Sequence, residues 1–429
     1  MRPSGGRAWL AMALWTVGFT ACGEPPAGAP PPAAPIAAGE APVERSPAEP
    51  APSAVPAGSP AAPVEPVLLA IDTHVDTTQR MLDEGDDLAQ ELPNGHLDLP
   101  RMRRGGLHGA FFSIWVDPRE HEGEAAWARA LALIGAVEAL AARHPAEVAI
   151  ARTGDEVRAA QASGRVALLM GIEGAHAFGA PARDEVLFER LREAHARGVR
   201  YLTITWSNDN RFGHSSSGRA PSRGLTPLGR RLIRELHALG VIVDVSHVSD
   251  RTFWDIAAIA ERPLLASHSS CRALSAHPRN VTDPMIRAIA EGGGAVCINF
   301  YTRFIDAEYA ARRTALESSH RARFAQLRRE HERWDRSEPQ NALARALGGE
   351  ALGVPTLETL GAHFAHAAAI GGPGAVCLGS DFDGVGELPL GLEDVARLGA
   401  LRAELERRGL PLGPILGENV LRVLDAQRE

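Results

Sequence analysis

Two residues apart in Ile71-Asp72-Thr73-His74-Val75-Asp76, an imidazole and a carboxylate end an apolar run that begins at Val67. In extended backbone alternate residues point to one side, so His74 and Asp76 can grip a divalent cation together. A hydrogen-bonded His–Asp pair is the plainer reading of so short a motif, and the rest of the chain must supply further ligands. Four more apolar runs end in comparable groups. They are Gly171-Ile172-Glu173-Gly174-Ala175-His176, Asp244-Val245-Ser246-His247, Ala266-Ser267-His268-Ser269-Ser270 and Gly379-Ser380-Asp381-Phe382-Asp383-Gly384. Taken singly, each group has an ordinary structural role as a satisfied histidine, a helix cap or a turn. Crowded together, three histidines and several carboxylates need a cation to neutralise and orient them. The set His74, Asp76, Glu173, His247 and His268 suits two adjacent zinc-like ions that share one carboxylate.

The elements that must position these groups follow a strand–helix rhythm. Strands are expected at 67–73, 109–116, 166–172, 200–205, 241–246, 263–267, 295–300 and 375–380, with helical patterns such as 125–143, 184–196, 227–239 and 356–370 between them. Near-continuous apolar runs read as parallel strands buried on both faces. Eight strands alternating with helices predict a (β/α)8 TIM-type barrel, with a doubly wound open sheet as the competitor. In such a barrel the site collects at the C-terminal ends of the strands, where five of the eight strands carry the groups named above. One segment breaks the rhythm. Residues 302–350 are rich in Arg, Glu and Ala, which predicts a charged helical insertion after the seventh strand, placed to cover the barrel mouth.

Composition sets the bounds. The chain has 429 residues and a net charge of -8, which gives no reason to expect a nucleic-acid partner. Residues 1–22 resemble an export signal: Arg2 and Arg7 precede an apolar stretch too short for a comfortable membrane span. Phe19-Thr20-Ala21-Cys22 resembles a bacterial lipoprotein box, with Cys22 the expected site of lipidation, so the membrane link would be a lipid anchor and not a spanning helix. Residues 23–66, dominated by Pro and Ala, read as a disordered tether, and 67–429 as the catalytic domain. The expected location is the bacterial cell envelope. Cys22, Cys271, Cys297 and Cys377 are too widely spaced to announce a disulfide framework, and the last three read as structural, with Cys297 and Cys377 small buried hydrophobes within strands.

The ordered motifs Asp72-Thr73-His74-Val75-Asp76, Gly171-Ile172-Glu173-Gly174, Tyr201-Leu202-Thr203, Asp244-Val245-Ser246-His247-Val248-Ser249, Ser267-His268-Ser269-Ser270, Arg279-Asn280-Val281 and Gly379-Ser380-Asp381-Phe382-Asp383-Gly384 resemble the membrane (renal) dipeptidase family of zinc hydrolases, from about residue 68 to 425. The resemblance implies two Zn2+ ions, one on His74 and Asp76, the other on His247 and His268, bridged by Glu173. It further implies Arg279 as the receptor for a substrate carboxylate and Asp381 as the acid/base. The implied substrate is a dipeptide with a free C-terminal carboxylate, D-residues included, and the family implies a possible homodimer. An ion pair with Asp283 is the alternative role for Arg279.

One position departs from the pattern. The family's best-known members carry a substrate-contacting His after the Tyr-Leu-Thr strand, where this chain has Trp206, whose indole can donate but cannot ionise. Asn210 or His214 in the following loop is the expected replacement donor. Trp206 also keeps open a second activity for the same metal set, hydrolysis of N-acyl amino acids, lactams or esters. A metal-containing lipoprotein that only binds is a third reading, against which the acid/base Asp381 argues.

Overall fold

The structure, a computed structural model, describes residues 68–330 and 338–428. The expected export signal, Cys22 and the tether lie outside the described residues. Nine parallel strands follow in order: β1 (Ile71–Val75), β2 (Gly109–Trp115), β3 (Val148–Ile150), β4 (Val166–Glu173), β5 (Val199–Thr203), β6 (Ile242–Asp244), β7 (Leu265–Ala266), β8 (Ala295–Ile298) and β9 (Val376–Leu378). The lateral order runs β2-β1-β9-β8-β7-β6-β5-β4, and β4 pairs back onto β2 from Gly109↔Ala167 to Trp115↔Glu173. That last pairing closes an eight-stranded (β/α)8 barrel and removes the open-sheet alternative.

β3 is the strand that the apolar runs did not announce. It is three residues long and pairs only with the start of β4, from Val148↔Val166 to Ile150↔Leu168, below the point where β5 joins at Met170. Several other strands stop earlier than expected: β6 ends at Asp244, β7 at Ala266 and β9 at Leu378. The chemistry-bearing residues therefore sit just past the ladder, in the loops of the barrel mouth.

Side-chain alternation divides the barrel into two apolar sets. Ile71, Phe111, Leu169, Tyr201, Ile242 and Leu265 form one buried cluster, closed below by Val420 and Leu424 of the C-terminal helix Asn419–Asp425. Phe112, Met170, Leu202, Val243 and Ile298 belong to the larger cluster under the surrounding helices. Gly171 makes the first set possible, because a Cβ there would lie 2.0 Å from the Tyr201 ring. The helix Pro227–Leu239 starts on Thr226, whose hydroxyl accepts from the Gly229 N–H. It ends at Gly240 with φ of 70°, a left-handed turn that suits glycine and aims the chain into β6.

Cys297 and Cys377 correct the reading of free, buried thiols. They are register partners on β8 and β9, with Cα atoms 4.1 Å apart, and they form a disulfide. Only the pairing of two strands 80 residues apart creates this neighbourhood, which spacing along the chain cannot reveal. Cys271 is free and buried, and burial pushes its thiol up to about 12.

The charged insertion follows β8, as expected. Its helix Thr302–Ile305 packs on the main core through Ile305, and its helices Ala307–Ser319, Arg321–Glu330 and Glu338–Gly348 with the turn Gly349–Leu352 share a small core of Tyr309, Phe324, Leu343, Ala344 and Leu352. Glu387, on the loop beyond β9, fastens the insertion: it accepts from the Tyr309 hydroxyl and pairs with Arg313 at 3.3 Å. Asn341 Nδ2 adds a 2.6 Å bond to the Gly386 carbonyl.

Candidate metal centre

Glu173, the last residue of β4, is buried between two groups of donors. Its Oε1 lies 2.8 Å from His247 Nε2 and 3.5 Å from His268 Nε2, while Oε2 lies 3.6 Å from His74 Nε2. His74 Nε2 is also 3.5 Å from Asp76 Oδ2. The Nε2 atoms of His247 and His268 face each other across 2.9 Å. His74, Glu173 and His268 converge as one potential cation-binding group, and His74, Asp76 and Asp381 as another. His74 Nε2 and Asp76 Oδ1 are buried with no hydrogen-bond partner, which a cation in their midst would relieve. The residues present therefore fit divalent metal.

Hydrogen bonds behind the donors set their tautomers. Ser267 Oγ donates to Asp244 Oδ2 at 2.7 Å and so accepts from His268 Nδ1, also at 2.7 Å, leaving His268 Nε2 bare. Asp244 further accepts from the Thr203 hydroxyl at 2.5 Å and from the Ser246 and Ser267 N–H groups. His74 Nδ1 is 2.7 Å from the Tyr201 hydroxyl, so a proton held there leaves its Nε2 bare. Burial, followed by Arg279, pulls His247 down to about 4, and burial with the neighbouring His74 holds His268 well below its ordinary value. Both rings are thus neutral, the form that binds metal. Despite its burial the Glu173 carboxyl lies well below the usual range, with His74 the chief cause of the fall.

Asp381 stands beside this group. Its N–H donates to the His74 carbonyl, and its Oδ2 accepts from Asn299 Nδ2 at 2.8 Å. Burial pushes its pKa up to about 7, with His74 opposing and the Asp76 and Glu173 charges adding to the rise. Gly384 keeps the space open, since a Cβ there would lie 2.1 Å from Asp381 Oδ1 and 2.3 Å from Asp76 Oδ2. His247, Asp381 and Asp383 all have positive φ, of 69°, 65° and 60°, and are the non-glycine residues of the described chain that do. Backbone of this kind costs energy and collects at functional sites.

Asp76, Glu173, His247 and Asp381 open onto a cavity of about 630 Å3 at the barrel mouth. Arg279 and Trp206 line its wall, and the insertion contributes Arg303 and Phe304. Arg279 is 5% exposed; its Nη2 donates to the His268 carbonyl at 3.3 Å, while Nε and Nη1 have no partner. The alternative ion pair with Asp283 does not form, because Asp283 pairs with His366 at 2.7 Å. Trp206 packs its indole edge-on against Trp115, with centroids 5.0 Å apart.

The structure brings neither expected replacement donor to the cavity wall. Asn210 spends its amide on its own loop: Nδ2 donates to the Ile204 carbonyl, and Oδ1 accepts from the Phe212 and Gly213 N–H groups. His214 faces Asp209 at 3.5 Å. An Asn within a Gly-containing loop is a turn former before it is a ligand, and that signal was present in the sequence. Tyr201, Asp244, Ser267 and Asn299 carry supporting roles that sequence reasoning did not assign. Among the unassigned histidines, His176 Nε2 donates to the Val116 carbonyl at 2.7 Å, and His277 packs against the Phe304 ring with centroids 4.5 Å apart.

Comparison with known proteins gives the family and the fold. Residues 61–429 match the profile described as membrane dipeptidase, peptidase family M19. An uncharacterized dipeptidase of Schizosaccharomyces pombe is 31% identical over 351 residues, covering 78% of this chain and 73% of the relative. The solved structure of dipeptidase AC, a metallo peptidase of family M19, superposes with a TM-score of 0.68 at 28% identity, covering 84% of this chain and 99% of the other. A metallo peptidase from Rhodobacter sphaeroides, liganded with a phosphinate mimic of the dipeptide L-Ala-D-Ala, gives 0.67 at 28% identity, with the same coverage. The chain belongs to the membrane dipeptidase family, peptidase family M19, and is a metallo-dipeptidase.

Proposed function

We propose that this metallo-dipeptidase uses two zinc ions to hydrolyse dipeptides bearing a free C-terminal carboxylate, D-residues at that position included. We further infer that it works at the bacterial envelope after export, held by lipid on Cys22. The observation that carries the substrate reading is Arg279, a buried guanidinium with two unpartnered donor atoms on the wall that also bears Glu173 and Asp381. A carboxylate matches that planar fork in shape and charge. The D-residue reading is supported by the L-Ala-D-Ala mimic bound to the Rhodobacter sphaeroides relative.

Zinc held by His74 with Asp76 and by His247 with His268, with Glu173 shared, would supply Lewis acidity and a water acidified to near neutral pH. The chain supplies the rest. Arg279 fixes the C-terminal end of the dipeptide and so orients the scissile bond. Asp381, anchored through Oδ2 by Asn299, has Oδ1 available to accept the proton of the attacking water and return it to the leaving amine. Trp206 and Trp115 give one wall an apolar, aromatic face.

The test is a panel of L,L- and L,D-dipeptides, their C-terminal amides and N-acyl amino acids, assayed before and after chelation and zinc repletion. Cleavage of free-acid dipeptides with amides at least tenfold slower (about 1.4 kcal/mol) supports the reading. Faster turnover of N-acyl amino acids, or full activity after chelation, refutes it.

A further inference from the structure

A second cavity, of about 410 Å3, lies at the opposite end of the barrel, among the residues that lead into β5, β6 and β7 and the C-terminal helix. Arg152, Arg200, Arg262, Arg428, His195 and His237 line it, and no aspartate or glutamate does so among the described residues. In a chain of net charge -8, this gathering of cations is not a by-product of basic composition.

The guanidiniums of Arg200 and Arg262 are held by backbone carbonyls, and the nearby Glu156 carboxylate accepts the Arg152 N–H at 2.5 Å. Arg200 Nε donates to the Arg152 carbonyl at 2.9 Å, and Nη1 to the His195 and Val199 carbonyls at 3.0 and 2.8 Å. Arg262 Nη1 donates to the Ala426 carbonyl at 3.1 Å. The side chains of Arg152 and Arg428 have no salt-bridge partner among the described residues. His237 is 6% exposed, and both its ring nitrogens are buried without a hydrogen-bond partner. An unsatisfied buried imidazole facing such a cavity calls for a ligand. Burial pulls Arg200 down to about 10, with Arg152 and Arg428 adding to the fall and Glu156 opposing it, so the cations repel one another and one nearby acid does not cancel them.

We propose that this cavity is a binding site for a phosphate-bearing ligand, distinct from the catalytic mouth. Arginine forks match phosphate oxygens bidentately, and the volume suits a small phosphorylated molecule or the phosphate of a lipid headgroup. His237 completes the site as a hydrogen-bonding group at its buried edge.

The test uses the zinc-loaded protein at constant ionic strength, with glycerol 3-phosphate as the soluble probe and phosphatidylglycerol vesicles as the membrane probe. Calorimetry should detect glycerol 3-phosphate binding to the wild type and to Arg279→Ala. Arg152→Ala/Arg428→Ala should weaken it by about tenfold or more, with its unliganded Tm and dipeptide hydrolysis unchanged. Vesicle co-sedimentation that is lost in the double variant assigns the phosphate to a headgroup; soluble binding alone assigns it to a free metabolite, and either supports the site. Failure of both probes on the wild type overturns the proposal. Equal binding by the double variant overturns it too, as does loss of binding in Arg279→Ala, which would place the anion at the catalytic mouth.

Discussion

The hydroxyl of Thr77 donates to Asp383 Oδ2 at 2.6 Å, pinning the residue after Asp76 to the turn that holds Asp381. The other oxygen of Asp383 accepts from the His96 N–H at 2.6 Å. Two loops from opposite ends of the sequence thus meet through one buried carboxylate. Thr77→Val keeps the shape but leaves Asp383 Oδ2 short of a donor, a loss of about 1–3 kcal/mol. The expected outcome is a lower Tm and a kcat reduced by about ten- to a hundredfold through misplacement of Asp381, with KM little changed. Thr77→Ser should restore both, and steady-state kinetics beside calorimetry decide the matter.

Arg279→Lys keeps the charge and loses the fork. On a free-acid dipeptide kcat/KM should fall by about 2 kcal/mol or more, roughly thirtyfold. On the corresponding C-terminal amide the two proteins should be nearly equal, because no carboxylate is there to miss. Parallel kinetics on the two substrates check this.

Asp244 accepts four hydrogen bonds, one of them from the hydroxyl that orients His268. Asn at this position cannot accept all four, and the His268 tautomer is no longer fixed. Asp244→Asn should weaken metal affinity by about 10–100-fold, read by competition with a chromophoric chelator. Excess zinc should recover much of the activity.

The sequence made the barrel and its rim readable for one reason: strands buried on both faces leave long apolar runs, and the groups beyond them stand out. Glu173 and His268 were visible in this way. What stayed hidden depended on neighbours supplied by the fold. The disulfide needs the register of β8 on β9, β3 is too short to make a run, and positive φ at His247 and Asp381, though Asp and His adopt it more readily than most residues, is fixed by the loops around them. The Asn210 and His214 expectations rested on nearness along the chain, and the loop turned both away from the cavity.

Joining Cys297 to Cys377 closes a loop spanning 80 residues that contains the whole insertion. Cys297→Ala/Cys377→Ala should lose about 2–5 kcal/mol of stability. Reductant should lower the Tm of the wild type and leave that of the variant unmoved.

His363 gives a pH test. Its Nδ1 accepts the Cys271 N–H at 3.0 Å and its Nε2 donates to the Ile305 carbonyl at 2.9 Å, so only the neutral ring satisfies both. Burial pulls it down to about 4 from 6.5. Between those values the unfolded chain takes up a proton that the folded chain refuses. Its contribution is therefore complete above pH 6.5 and drains away as pH falls to 4, by up to about 3 kcal/mol. The Tm gap between wild type and His363→Gln should narrow over that window.

The insertion enters after β8, leaves before β9 and carries its own apolar centre around Tyr309 and Phe324. None of the five converging donors belongs to it, yet it supplies Arg303 and Phe304 to the cavity wall. Part of the wall that meets a substrate is therefore written apart from the bond-breaking residues, while Arg279, Trp115 and Trp206 stand on the barrel's own strands and loops. Exchanging this cassette for one from a relative would alter only the share of the wall that Arg303 and Phe304 supply, leaving the barrel's own donors as they were.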